Sequence, residues 1–209
     1  MDLRAEGVQV QVEVVGDVMV DVAQLLAPRA RARLSALEAC AVEPGGYLLA
    51  TAHRAGTVDD AEQLERLVAV LRAVPGPVVL PLHPRTRARL SSAGLLDDLS
   101  GAVRVVPPLG YLDFTALLVH ARAVLTDSGG VQKEAYLAGV PCVTLRDRTE
   151  WKETVATGWN VLVGLDADAA VAALERPLPA DRPPLYGDGR AGERVVQALL
   201  SLRSREPVA

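Results

Sequence analysis

Five short apolar runs constrain this chain more than any other feature. They are Tyr47–Thr51, Val78–Leu82, Val103–Val106, Ala123–Thr126 and Pro141–Leu145. None shows a sustained apolar–polar alternation, so none reads as a strand with one face in water. Runs of this length and texture are expected of parallel strands covered on both faces. Helical patterns separate them. Leu64, Leu67, Val68 and Leu71 follow the i, i+3, i+4, i+7 spacing of one apolar stripe, and Asp59 and Asp60 precede it as a helix start. Further helices are predicted from about Leu112 to Ala121, from Ser128 to near Gly139 with Pro141 blocking extension, and from Gly189 to Leu202 with Val195, Leu199 and Leu202 on one face. Repeated strand–helix units imply an α/β fold with a doubly wound, mostly parallel sheet. Ligands in such sheets bind outside the carboxyl ends of the strands, so residues at strand-to-helix turns matter most.

The first 40 residues read differently, with one strand candidate at Val10–Val15, then Gly16-Asp17 and a helical Ala/Arg-rich stretch to Cys40. The expected organisation is a junction or linker over residues 1–40, a nucleotide-binding domain over 41–187, and a carboxy-terminal helix and tail over 188–209. Half of the 209 residues are hydrophobic and only 3% are aromatic, which suits helices packed on buried strands better than an all-β sandwich. The formal net charge of -4 argues against a general nucleic-acid binder. Two cysteines, Cys40 and Cys142, without CxxC spacing argue against a disulfide framework or zinc cluster and fit a reducing cytoplasm. No signal-peptide pattern opens the chain, and no apolar run is long enough for a bilayer, so no membrane partner is expected.

The segment Asp127-Ser128-Gly129-Gly130 directly follows a predicted buried strand and opens a helix. Ser128 is a suitable N-cap. Two glycines leave the first backbone N–H groups uncovered, and with the positive end of the helix dipole they suit a diphosphate. Glu134 lies four residues after Gly130 on the same helical face, where its carboxylate could accept both hydroxyls of a ribose. The same residues could equally be a capped tight turn followed by a solvated glutamate. Three strand ends add to the anion-binding reading: His53-Arg54, His83-Pro84-Arg85 and Arg146. Ser128 is not read as a hydrolase nucleophile, because Thr126 stands where Gly-x-Ser-x-Gly requires its first glycine. Asp166 and Asp168 read as a helix start rather than a metal pair, and Cys142 as a small core residue.

Several of these segments resemble the non-hydrolysing UDP-N-acetylglucosamine 2-epimerases. They are Asp127-Ser128-Gly129-Gly130-Val131-Gln132-Lys133-Glu134-Ala135, Gly139-Val140-Pro141, Leu145-Arg146-Asp147-Arg148-Thr149-Glu150, Thr51-Ala52-His53-Arg54, Tyr111-Leu112-Asp113-Phe114 and Tyr186-Gly187-Asp188-Gly189. Asp2–Gly7 and Val15–Met19 are similar to the family's domain junction. The resemblance implies one half of a GT-B fold, made of two Rossmann-like domains. It implies interconversion of UDP-GlcNAc and UDP-ManNAc, or a related UDP-sugar, by elimination and re-addition of UDP, in cell-envelope polysaccharide biosynthesis. It implies no NAD, no other cofactor and no metal. Carried over by position, Ser128, Gly129 and Gly130 would bind the diphosphate, Glu134 the ribose, and Phe114 would lie near the uracil. His53 would contact substrate and serve catalysis, with Arg146 and Glu150 at the site edge.

Two departures from the family pattern stand out. Ala55-Gly56-Thr57 follow His53-Arg54 where the family has Glu-Asn. Met1 is expected to begin about where the amino-terminal Rossmann domain ends, and that domain carries the family's carboxylates for proton abstraction. The expected partners are therefore a UDP-sugar and either a second copy, as a homodimer, or a separate amino-terminal half. A non-catalytic UDP-sugar binding module and a GT-B glycosyltransferase remain alternatives at this stage.

Overall fold

The computed structural model describes residues 7, 12–99, 101 and 103–203. The chain divides into two compact units, one of residues 1–25 with 184–209 and one of residues 26–183.

In the larger unit the helix α1 (Val18–Ala32), which begins in the smaller unit, is followed by α2 (Ser35–Ala39) and β1 (Leu48–Thr51). Next come α3 (Ala55–Val58), α4 (Ala61–Ala73), β2 (Val78–Pro81), α5 (Pro84–Ser92), a 3-10 turn at Asp97–Leu99 and β3 (Val103–Val106). The second half of the unit holds α6 (Tyr111–His120), β4 (Ala123–Thr126), α7 (Gly129–Ala138), β5 (Cys142–Thr144), α8 (Lys152–Ala156), β6 (Asn160–Leu162) and α9 (Ala167–Glu175). The six strands form one sheet in the order β3-β2-β1-β4-β5-β6, every neighbouring pair parallel. This is the doubly wound arrangement that the apolar runs predict.

Burial on both faces explains the texture of those runs. In β1, Leu48 and Ala50 join one apolar cluster while Leu49 joins the other. In β4, Ala123 and Leu125 join the first and Val124 the second. Successive side chains point to opposite faces, so a sheet clad on both sides needs apolar residues at every position. The stripe on α4 closes the first face through Leu64, Leu67, Val68 and Leu71, with Asp60 accepting from the Gln63 N–H at 3.0 Å as the N-cap. Helix α6 closes the second through Ala116, Leu117 and Leu118.

Several expectations change. β6 has no counterpart among the predicted strands, because it is a three-residue edge strand opened by a polar residue, Asn160. Asn160 is buried by hydrogen bonds rather than by apolar character. Its amide donates to Gln132 Oε1 and Thr154 Oγ1 at 3.1 Å each, and its carbonyl accepts from Thr144 Oγ1 at 2.7 Å. Residues 12–15 of the strand candidate at Val10–Val15 carry no strand, and residues 10 and 11 lie outside the described residues. The short helices α3, α5 and α8 were not anticipated either.

The smaller unit contains α10 (Ala191–Arg203), matching the predicted terminal helix within two residues. Asp21 caps it, accepting from the Ala191 and Gly192 N–H groups at 3.1 and 2.7 Å. Arg194 forms a two-pronged ion pair with Asp188 at 2.7 Å per bond. Val195 and Leu199, expected on one face, are exposed, as are Val196 and Leu200, and the Leu202 side chain lies outside the described residues. No helix among the described residues is long and apolar enough to cross a membrane.

The two-faced core makes a stability prediction. Leu67→Ala, at a position 1% exposed, should lower unfolding free energy by about 2–5 kcal/mol. The exposed neighbour Glu65→Ala should change it by no more than about 0.5 kcal/mol. Urea denaturation of both variants measures the contrast.

Candidate active site

The winding of the sheet reverses between β1 and β4. The chain leaves β1 through α3 and α4 towards β2, and leaves β4 through α7 towards β5. A crevice outside the carboxyl ends of these two strands is where such sheets place ligands. Thr51 and Thr126 end the two strands side by side, their hydroxyls 2.6 Å apart. Beyond them the next residues are cross-tied, since Asp127 Oδ2 accepts from the backbone N–H groups of His53 at 3.0 Å and Arg54 at 2.8 Å. Asp127 is completely buried.

Ser128 caps α7 as predicted. Its backbone N–H donates to Thr126 Oγ1 at 2.9 Å, and its own hydroxyl accepts from the Val131 N–H at 3.5 Å. The N–H groups of Gly129 and Gly130 precede the helix's own hydrogen-bond ladder. The two glycines differ in surroundings. A Cβ on Gly129 would lie 3.1 Å from Trp151 Nε1, 3.6 Å from Glu150 Oε2 and 3.7 Å from an Arg54 nitrogen. A Cβ on Gly130 would meet only Ser128 Oγ, at 3.9 Å, so that side of the helix start is open.

The far end of α7 is also fixed. Gly139 adopts the left-handed conformation, φ 74°, that ends many helices. Arg182 donates to the last carbonyls, Tyr136 O at 2.6 Å and Leu137 O at 3.0 Å, placing a cation at the negative end of the dipole.

Glu134 lies one turn into α7, half-buried, and shares a hydrogen bond with the Tyr111 hydroxyl at the start of α6. Burial pushes its carboxyl above the ordinary value of 4.5, and the Tyr111 bond partly offsets that rise. Phe114, also on α6, is half-buried against the apolar cluster that takes in Leu109 and Val131.

Arg146 and Glu150 make a two-pronged ion pair, with bonds of 3.0 and 2.9 Å. The Arg146 guanidinium holds the Glu150 carboxyl down at about 2, chiefly through these hydrogen bonds. Arg54 approaches Glu150 at 4.0 Å. Part of the Arg146 charge is thus already balanced, which a sequence of strand-end cations does not reveal. The other strand-end groups disperse. His83 caps α5, its Nδ1 accepting from the Arg85 N–H at 3.2 Å, while Arg85 and Arg89 pair with Asp59. His53 and His83 remain near each other, ring centroids 6.1 Å apart. Asp166 caps α9 through the Ala169 N–H at 2.8 Å, as expected of a helix start. Burial pushes the Cys142 thiol up to about 12, which makes it inert.

A cleft of about 450 Å³ opens beside these groups, lined by Arg54, Arg66, Arg146 and Arg148, with Asp147 as its one carboxylate. Sequence reasoning missed this cleft, because Arg66 comes from α4 and the others from loops.

The family model for UDP-N-acetylglucosamine 2-epimerase matches residues 1–200. The chain belongs to the UDP-N-acetylglucosamine 2-epimerase family. It is 44% identical over 194 residues to a UDP-2,3-diacetamido-2,3-dideoxy-D-glucuronate 2-epimerase of Pseudomonas aeruginosa, covering 90% of this chain and 52% of that protein. It is 40% identical over 161 residues to a UDP-N-acetylglucosamine 2-epimerase of Methanocaldococcus jannaschii, covering 73% of this chain and 44% of that one. A solved structure of the Methanocaldococcus jannaschii UDP-GlcNAc 2-epimerase in complex with UDP-GlcNAc and UDP matches 95% of this chain and 57% of its own, at 35% identity and a TM-score of 0.85. The chain therefore spans about half the length of the relatives it matches. The six-stranded sheet is the Rossmann-like fold of one half of a GT-B protein.

The two carboxylates near α7 should titrate in opposite directions. For Glu134 the raised value means that folding is disfavoured by its ionisation at neutral pH, and this cost disappears as the pH falls below 4.5. For Glu150 the depressed value means a stabilising contribution present above 4.5 and lost as the pH falls through about 2. Carbon-13 NMR titration of the side-chain carboxyls should give a Glu134 midpoint above 4.5 that rises further in Tyr111→Phe, and a Glu150 midpoint near 2 that returns towards 4.5 in Arg146→Ala.

Proposed function

We propose that this chain carries the nucleotide-binding site of a non-hydrolysing UDP-N-acetylglucosamine 2-epimerase, acting on UDP-GlcNAc and UDP-ManNAc or a related UDP-sugar. The observation that carries this reading is the open helix start at Gly130, set at the reversal of the sheet with Glu134 one turn beyond it on the same helix. Gly129 and Gly130 hold the diphosphate through backbone N–H groups and the dipole of a ten-residue helix, and Ser128 contributes its hydroxyl, since its own N–H is held by Thr126 Oγ1. Glu134 accepts the ribose hydroxyls, its burial strengthening those bonds once the ligand closes over it. Phe114 and the backbone from Leu109 to Tyr111 face the uracil.

Elimination of UDP followed by re-addition needs a grip that outlasts bond cleavage, because UDP is both leaving group and returning nucleophile. A preorganised helix terminus supplies that grip without reorganisation during the reaction. His53 is the catalytic group on this chain, and Arg146 orders the site edge through Glu150. The working assembly is a homodimer or a pairing with an amino-terminal Rossmann half, in the cytoplasm.

A UDP-sugar bearing its own carboxylate is a second reading of the substrate. The cleft favours it: Arg146 and Arg66 already pair with Glu150 and Glu62, and Arg148, which forms no ion pair among the described residues, suits a carboxylate on the sugar. The relative of Pseudomonas aeruginosa named for a glucuronate substrate supports the same reading.

Titration calorimetry with UDP tests the site. Binding is expected, with Glu134→Ala losing roughly 2–4 kcal/mol, the equivalent of two charge-assisted hydrogen bonds partly replaced by water. No heat from UDP, or equal affinity in the variant, overturns the assignment. The substrate class is tested by turnover of the full-length protein on uronate and neutral UDP-sugars. Arg148→Ser should lower kcat/KM on the uronate roughly tenfold, about the cost of one charge-assisted bond, and leave UDP affinity unchanged.

A further inference from the structure

Asp127 does more than follow a strand. Its Oδ2 takes two backbone N–H groups, but its Oδ1 is buried and has no hydrogen-bond partner among the described residues. An unpaired carboxylate oxygen in the interior is costly and calls for an explanation. The nearest group facing it is the His53 imidazole, with Nδ1 at 3.6 Å, and the more distant Arg146 guanidinium also feels the Asp127 charge. That is an ion-pair distance rather than a formed hydrogen bond, which would need the two atoms to close to about 2.9 Å. The His53 side chain is 46% exposed, so its ring is free to tilt that short distance.

We infer that Asp127 is the positioning residue for His53: it holds the Nδ1 proton, so that the lone pair of the neutral ring sits on Nε2, the nitrogen on the opposite edge. This rests on the reading of the crevice as the UDP-sugar site, with His53 as its acid–base group. Two features make the arrangement directional. First, the backbone N–H groups of His53 and Arg54 pin the carboxylate, so it cannot swing to follow another donor. Second, those same bonds place the loop bearing His53 against the start of α7. Asp127 therefore sets both the place of the imidazole and its tautomer, and its negative charge balances the ring whenever Nε2 takes a proton.

Asparagine at this position gives a sharp contrast at constant volume. The two backbone N–H groups require an oxygen, so the amide carbonyl must take the Oδ2 place. The amide NH2 then faces Nδ1, which becomes an acceptor, and the ring proton moves to Nε2. The tautomer reverses while the packing is preserved, a change known to be severe wherever a histidine must offer a particular nitrogen.

Nitrogen-15 NMR of the three histidines at alkaline pH, where imidazoles are neutral, reads this directly. In the unaltered chain His53 should be mainly Nδ1-protonated. His83, whose Nδ1 accepts from the Arg85 N–H, should be Nε2-protonated and serves as an internal reference. In Asp127→Asn the His53 pattern should switch and that of His83 should not. In the full-length protein kcat should fall about 10²-fold or more, the usual contribution of acid–base catalysis, with KM changed much less. A predominantly Nε2-protonated His53 in the unaltered chain overturns the proposal, as does an unchanged tautomer in Asp127→Asn. If the variant does not fold, the measurement on the unaltered chain still decides. No ligand or turnover enters the NMR experiment, so its failure is distinct from a failure to bind UDP.

Discussion

The seam between β1 and β4 is the constraint on which the rest of the molecule depends. Four residue pairs join the strands in register, from Leu48 with Ala123 to Thr51 with Thr126. At its end the Thr51 and Thr126 hydroxyls meet, and Asp127 reaches across to two backbone N–H groups of the other strand's loop. Backbone groups emerging from a sheet would otherwise need water. Here a buried carboxylate satisfies them, and its desolvation is offset by charge-assisted bonds. The loop after β1 is thereby fixed to the turn before α7, which brings the imidazole and the helix terminus into one crevice.

Helix α7 is the second element of that design. Its dipole acts on a ligand only if its first turn stays in place, and both ends are capped. Ser128 caps the start, while Gly139 and Arg182 satisfy the far carbonyls. Between them, buried Gln132 accepts from the Thr149 hydroxyl at 2.6 Å and from the Asn160 amide, tying the helix to the loop before α8 and to the edge strand β6. Lys133 lays its ammonium 3.6 Å above the Trp151 ring. The network restrains the helix through the bonds it makes, although Gln132 Nε2 is buried with no partner among the described residues.

Much of this was legible in the residues. The strands β1 to β5 announced themselves because a sheet buried on both faces must be apolar at successive positions. The start and stop of α7 were legible because Ser128, Gly139 and Pro141 act locally. What stayed hidden was polar burial and contact over long separations. β6 is buried through Asn160 and its partners, and amides carry no strand signal. Asp127 and His53 are 74 residues apart, so their contact has no local trace. The Arg146–Glu150 pair has helical spacing but sits in a loop, so only the fold shows that these two side chains meet. The terminal helix was legible from the spacing of Val195 and Leu199, but spacing does not say whether a face is covered, and the described structure leaves both exposed.

The unlike surroundings of the two glycines at the start of α7 bear on how this family tolerates change. A methyl group on Gly129 would crowd Trp151 Nε1 at 3.1 Å, and the ring it belongs to is already packed under the Lys133 ammonium. Gly130 faces open space. A library of substitutions sorted for soluble protein would reject side chains at the first and admit small ones at the second, while one sorted for nucleotide retention would be strict at both. One position is constrained by packing and, on the proposed reading, its neighbour by the ligand, although in the sequence they are a single pair of identical letters.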